Sequence, residues 1–158
     1  MRDWAESGVA IPFVYQRRVR WGDGDPALIA YTVRFLDYAM EAIEEWFRAV
    51  LGIDWYQLAV RQGMGAPVVH LEFDFTAPLR PGDEVAIEIR VAELRRSTIS
   101  FLFNGLREGT TPSFSGKIVE CFIDSTGDRL KAAPIPASYR RRIEAYIAAC
   151  AAADTQRG

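Results

Sequence analysis

Along this chain the spacing of apolar residues switches between alternation and a helical period, and each switch marks an element. From Phe13 to Trp21, FVYQRRVRW alternates, with Phe13, Tyr15, Arg17, Val19 and Trp21 on one side, which predicts a strand. The turn GDGDP follows. From about Ala27 to Leu51 the period is helical. Leu36, Met40, Ile43, Phe47 and Val50 form one stripe, with Phe35, Ala39 and Trp46 beside it, while Glu41, Glu44, Glu45 and Arg48 lie mostly off it. Gly52 is the expected helix stop. A second, short helix is expected over Trp55 to Gln62, before GMGAP.

The remainder reads mostly as strands. In PVVHLEFDFTAPL, Val69, Leu71, Phe73 and Phe75 face one way, and Val68, His70, Glu72 and Asp74 the other. RPGDE is a turn. EVAIEIRVAEL puts Val85, Ile87, Ile89 and Val91 on one face. RRSTISFLFNGLRE is the next strand, turning near Gly109, and FSGKIVECFID follows, with STGD as a hairpin turn. Pro134 and Pro136 precede a C-terminal helix in ASYRRRIEAYIAACAAA. The order is strand, long helix, short helix, four strands, helix. Strands segregated from helices predict an α+β fold with a largely antiparallel sheet, curved around the long helix to bury its apolar stripe.

Length adds a domain count. The 158 residues predict one domain over 1–158, with a core at about 13–142 and a C-terminal helix to about residue 153. With 49% apolar and 25% charged residues the chain reads as soluble and globular. A net charge of −2 argues against a nucleic-acid partner. Cys121 and Cys150 form no metal spacing, and two lone thiols fit a reducing compartment. MRDWAESGVA lacks the apolar core of a secretory signal, so the expected location is cytoplasmic. No apolar run approaches the ~20 residues of a membrane span.

The acids of GDGDP raise the chemical question. Asp and Gly favour tight turns, and an Asp caps a helix that starts with Pro, so a structural role accounts for them. A calcium loop does not: counting Asp23 as position one of an EF-hand loop, Arg34 stands where the loop requires Glu. A catalytic role is also open. A helix start presents free N–H groups and partial positive charge, which can hold a developing oxyanion. A carboxylate beside it can attack a carbonyl or activate water. Ser-His-Asp spacing, a G-x-S-x-G elbow, a Walker loop and GxGxxG are all missing from the sequence.

The turn GDGDPALIAY closely resembles the active-site segment of 4-hydroxybenzoyl-CoA thioesterases of the hotdog-fold superfamily. The likeness extends through LGIDW, GAPVVHLEFDFTAPLRPGDEVAIEIRVAELRRST and GDRLKAAPIPASYRR, and covers roughly Phe13 to Arg142. It implies a hotdog fold and hydrolysis of an acyl-CoA thioester, with no metal or cofactor beyond the coenzyme A of the substrate. It places the catalytic carboxylate, as nucleophile or general base, on Asp25. The oxyanion donor, a main-chain N–H, falls near Thr32 with Tyr31 beside it, and Asp23 becomes a turn and capping residue. The basic stretch of the family is matched by Arg95, Arg96 and Ser97, which implies a clamp for coenzyme A phosphates. An acyl pocket is expected from Leu28, Phe35, Met40, Trp55 and His70. The chain departs from the family at Leu28, where Gly is frequent, and at TVRF in place of the usual Y-P-N-Y-like stretch.

His70 is the only histidine, and it equally fits a partly buried polar residue of a strand. The helix-leading loop holds only acids, unlike that of hotdog dehydratases, which argues against a hydratase. Arg95 and Arg96 also suit a solvated strand end that protects an edge. One curved sheet leaves an edge strand and a half-open cleft, so a homodimer or homotetramer is expected, with the site between subunits. The substrate expected is an aromatic acyl-CoA such as 4-hydroxybenzoyl- or benzoyl-CoA. The alternatives are a short or medium aliphatic acyl-CoA, an acyl-carrier-protein thioester, or a noncatalytic acyl-CoA-binding module.

Overall fold

The computed structural model describes residues 8–157. The reading of the N-terminal MRDWAESGVA therefore falls mostly outside the described residues. Strand β1 (Phe13–Arg18) leads through a 3-10 turn at Trp21–Asp23 to the long helix α1 (Thr32–Trp46), which continues as a wider π turn, Phe47–Leu51. Gly52 stops it in the left-handed conformation, φ 74°, as the pattern predicts. Helix α2 (Trp55–Gln62) is capped by the Asp54 side chain, which accepts the Gln57 N–H. Then follow β2 (Met64–Gly65), β3 (Val68–Phe75), β4 (Glu84–Leu94), β5 (Thr98–Arg107), β6 (Thr111–Cys121), β7 (Ile123–Asp124), β8 (Lys131–Ala132) and α3 (Ala137–Arg157).

Five strands form an antiparallel sheet in the order β1-β4-β5-β6-β3. Directly opposed residues share a face. The row Phe13, Ile89, Phe103, Gly116 and Phe73 therefore points one way, and its neighbour Glu88, Asn104, Ser115 and Asp74 the other. The first face is the inner one. It packs Ile87, Ile89, Phe101 and Ile118, all fully buried, against Ala39, Ala42, Ile43 and Trp46 of α1. Truncating one of these rings, as in Phe101→Ala, would cost about 3–5 kcal/mol. This is the hotdog arrangement that the resemblance implies.

Several boundaries differ from the sequence reading. The long helix starts at Thr32, not Ala27, because Leu28 sits at φ 61° and the chain loops before it can wind. Trp21 leaves the strand for the 3-10 turn and is 82% exposed. Helix α3 runs to Arg157, beyond residue 153. A small sheet, β2-β7-β8, was not expected from alternation, since its strands are two residues long.

Strand β3 is the outermost strand on one side. Val69, Leu71 and Phe75 are 60%, 42% and 52% exposed, so an apolar surface remains at an open edge.

Candidate functional site

The turn between β1 and α1 is folded around Asp23. Its carboxylate accepts the Arg20 N–H at 2.9 Å and the Tyr38 hydroxyl at 2.9 Å, and it pairs with Arg17 at 3.2 Å. Arg34 adds a longer ion pair at 3.9 Å. The Asp23 carbonyl accepts the Tyr31 N–H at 2.8 Å. Burial opposes ionisation here, but the Arg20 N–H, the Tyr38 hydroxyl and the two guanidinium groups outweigh it and hold the Asp23 carboxyl below its ordinary range. The Tyr38 phenol is pushed up by burial and by the Asp23 charge, so it stays protonated and donates. Asp23 is thus the structural hub of the turn, as expected, but its side chain caps the 3-10 turn at Arg20 and not α1, whose N-cap is Tyr31.

Asp25 is only half-buried. Its N–H donates to the Ile29 carbonyl at 2.9 Å, and its carbonyl accepts the Leu28 N–H at 2.9 Å. Oδ1 accepts the Ala27 N–H at 2.8 Å, while Oδ2 has no hydrogen-bond partner among the described residues. A bridge between Gly24 and Ala30 lays the two arms of the turn side by side. One carboxylate oxygen of Asp25 is therefore left for a ligand, on the turn that leads into α1. Leu28 occupies a left-handed position, which glycine would adopt without steric cost.

Tyr31 and Thr32 separate at this point. The Tyr31 N–H is spent on the Asp23 carbonyl, so it is not available to a ligand, contrary to the sequence expectation. Thr32 is the first helical residue, and its N–H is one of the groups a helix start leaves without an intrahelical acceptor. Thr32 lines a cleft of about 310 Å³ with Ile29, Ala30, Phe35 and the segment Phe75–Pro78. The Phe35 ring meets Phe75 and Phe114 edge-on, at 5.1 and 5.2 Å between centroids. Asp25 lines a second cleft, of about 120 Å³, with Trp21, Gly24, Leu28 and Pro81.

Of the residues expected around an acyl group, Leu28 and Phe35 lie here and three do not. Met40 is half-buried two helical turns further along α1 and lines neither cleft. Trp55 packs on Phe47 at the far end of the helix. His70 points to the outer face: it stands opposite Val119, which stands opposite Ser100, and its ring bonds Glu72 at 2.5 Å. The pleat of β3 thus turns the histidine away from α1. Phe75, Thr76, Ala77 and Pro78 line the cleft unforeseen. Alternation places Phe75 in one row with Phe73, but nothing in the sequence puts that row's end or the TAP segment against Thr32.

Arg95, Arg96 and Ser97 form the turn between β4 and β5. The Arg96 and Ser97 carbonyls accept the Ile135 and Phe122 N–H groups, so the main chain is anchored while both arginines are exposed. Arg95 pairs with Glu93 at 2.9 Å. Asp25 sits near Pro81, at the opposite end of β4. Some ten residues of strand, roughly 33 Å, separate them, so one chain does not bring acid and clamp together. Among the described residues no cluster of His, Cys, Asp or Glu could hold a metal ion, and no helix is long and apolar enough to cross a membrane.

A family model described as the thioesterase-like superfamily matches residues 19–143. The chain belongs to that superfamily. Its reaction class is thioester hydrolysis. The fold superposes on a crystal structure from Jannaschia sp. CCS1 described as thioesterase superfamily, with a TM-score of 0.78 and 35% identity over 86% of this chain and 93% of that one. The 4-hydroxybenzoyl-CoA thioesterase of Pseudomonas sp. (strain CBS-3) is 29% identical over 131 residues, 78% of this chain and 92% of that protein. The 1,4-dihydroxy-2-naphthoyl-CoA hydrolase of Crocosphaera subtropica is 27% identical over 103 residues, 65% of this chain and 74% of that protein. In this superfamily member the match takes in the Asp23–Asp25 turn, all of α1 and the whole sheet from β3 to β6.

Proposed function

We propose that the protein hydrolyses an aromatic acyl-CoA thioester in a site between two copies of the chain. One observation carries this reading: a half-exposed carboxylate, Asp25, lies on the turn that leads directly into the helix start at Thr32, and Thr32 lines an aromatic cleft. The thioester carbonyl oxygen takes the Thr32 N–H, and the helix dipole favours the negative charge that develops there. Asp25 accepts a proton from water as the water oxygen bonds to the carbonyl carbon. The tetrahedral adduct then collapses, the C–S bond breaks, and the thiolate leaves with that proton. Direct attack by Asp25 uses the same geometry through a mixed anhydride. A single turnover in 18O-labelled water tests the second route: label found in Asp25 reports an anhydride opened by water at the Asp25 carbonyl carbon.

The second copy follows from the open edge. If β3 pairs antiparallel with itself about a two-fold axis, the Val68 end of one chain meets the Phe75 end of the other. Arg95, Arg96 and Ser97 lie at the Val68 end, since Thr98 opposes Cys121 and Glu120 opposes Val68. Pairing therefore carries the clamp of one protomer toward the Asp25 turn of its partner, and Trp55 travels with it. It also covers Val69, Leu71 and Phe75. Nothing in this scheme needs a cofactor, and a reducing cytoplasm fits two unpaired thiols.

An aromatic acyl group is favoured by the edge-on rings of Phe35, Phe75 and Phe114, and by hydroxylated aromatic acyl groups in the names of both relatives. The experiment is thiol release from benzoyl-, 4-hydroxybenzoyl-, phenylacetyl-, acetyl-, hexanoyl- and palmitoyl-CoA by wild type and Asp25→Asn. Turnover of the aromatic esters that falls by at least about 100-fold in the variant is expected. Turnover that survives Asp25→Asn rules out this acid. Binding without turnover by wild type would make the protein an acyl-CoA-binding module.

A further inference from the structure

Beneath the Asp25 turn lies a cluster that the chemistry above does not use. Arg17 of β1 places its guanidinium over the Tyr38 ring, 4.1 Å from the centroid, and grips the Glu41 carboxylate with one nitrogen at 2.9 and 2.8 Å. Its other terminal nitrogen reaches Asp23 at 3.2 Å. Tyr15 donates to the same Glu41 at 3.2 Å. Arg34, Tyr38 and Glu41 share one stripe of α1, spaced so that they face a single direction. Strand, turn and helix therefore meet at one buried carboxylate, Asp23, with an arginine that is 11% exposed locking the tyrosine from above.

That convergence has a geometric consequence. Asp23 touches the helix start twice: its side chain is held by Tyr38, and its carbonyl takes the Tyr31 N–H. The second bond occupies the donor next to Thr32 and fixes the orientation of the peptide that leads into the Thr32 N–H. Two residues further on, the same turn carries Asp25. A shift of the Asp23 peptide thus moves the acid and the free donor relative to one another. Displacements on the order of 1 Å in such a pair cost about 100-fold in rate.

We propose that Tyr38 is a positioning residue for thioester hydrolysis: with Arg17 it clamps Asp23, so that the Asp25 carboxylate and the Thr32 N–H address the same carbonyl group. Tyr38 touches no substrate. It acts through Asp23, and the inference rests on the Asp25–Thr32 reading above. The clamp itself has a signature that needs no turnover, because the Tyr31 amide proton is its direct product.

Tyr38→Phe removes one hydroxyl and leaves the ring under Arg17. The expected result is turnover slowed about 10- to 100-fold while KM stays within about twofold, and amide hydrogen exchange at Tyr31 accelerated at least about tenfold while core amides of α1 keep their protection. Asp23→Asn, which keeps an acceptor for Tyr38 and the Arg20 N–H, is expected to retain more activity than Asp23→Ala, and Arg17→Lys to behave like Tyr38→Phe, since an ammonium cannot stack and fork at once. Unchanged exchange at Tyr31 in Tyr38→Phe overturns the clamp. Slower turnover matched by a rise in KM, or by global loss of protection, overturns the positioning role. If wild type hydrolyses no thioester, the Asp25 reading fails, and the exchange measurement still decides whether Tyr38 holds the turn.

Discussion

Two carboxylates are buried among the described residues, and they are treated in opposite ways. Asp23 is surrounded by donors from β1, its own turn and α1, and stays ionised. Glu120 stands on the inner face of β6 between Ile99 and Val68, fully buried, and neither of its oxygens has a hydrogen-bond partner among the described residues. Burial, with no partner to offset it, raises its carboxyl well above the ordinary range and so favours the neutral acid. A polar group without partners costs stability, while a fully partnered charge orders what surrounds it. At the turn the chain has built a site around a charge. At the far end of the sheet it tolerates an acid that packing would rather replace with an apolar side chain.

The widest gap between the two should appear on removing each carboxylate. Asp23→Leu leaves Arg17 without one of its two anionic partners and frees the turn from α1, and should destabilise the fold by about 3–5 kcal/mol. Glu120→Met conserves volume and removes an orphaned group, and should stabilise by about 1–3 kcal/mol. Urea unfolding of the two variants beside wild type measures both. Equal losses would mean that Glu120 has a partner in solution, such as a buried water, and would erase the contrast.

Titration should split them in the same sense. The unfolded Asp23 carboxyl ionises at its ordinary value, 3.8, and the folded one lower. Asp23 therefore contributes stability above pH 3.8 that is lost as pH falls through its folded value. For Glu120 the sign reverses. The unfolded chain ionises it at 4.5, while the fold keeps the proton to higher pH. Stability from this group is complete below pH 4.5 and declines as pH rises above it. Melting curves of Glu120→Gln against wild type should coincide most closely near about pH 4 and diverge toward about pH 8, with the variant the more stable. A difference independent of pH would show that Glu120 titrates in the fold as it does in the unfolded chain.

Neither environment was legible in the chain. The alternation of β6 puts Glu120 on the same side as Ile118 and Phe114, which predicts burial but says nothing of partners. Alternation places Arg17 on one side of β1 with Phe13 and Tyr15, but only the fold shows that it spans Asp23, Tyr38 and Glu41, which lie far apart in sequence. The sheet, α2 and the inner face of α1 were visible because periodicity is local. The true start of α1 was hidden by Leu28, whose left-handed backbone no propensity favours. A site shared between subunits was expected from the open sheet edge, but sequence order does not encode which end of a strand Trp55 and Arg95 to Ser97 occupy, so their distance from Asp25 within one chain was not legible.

Leu28 gives the smallest effect and the sharpest test of how the Asp23 end is held. A non-glycine residue in the left-handed region costs about 1–2 kcal/mol. This side chain is 63% exposed, so little packing repays that strain. Glycine relieves it but loosens the unfolded chain, leaving a net gain of about 0.5–1 kcal/mol for Leu28→Gly, or about 2–4 °C in Tm. The strain persists only because the surrounding bonds over-determine the turn. Strain that the clamp enforces should vanish with the clamp. In an Asp23→Asn background the turn can relax around Leu28, and the same substitution should then gain nothing or lose stability. A double-mutant cycle on Tm reads this coupling directly. Additive gains would mean that the Leu28 conformation is set by the Asp25–Ile29 and Leu28–Asp25 main-chain bonds alone, and that the reach of Asp23 stops short of the acid it is proposed to position.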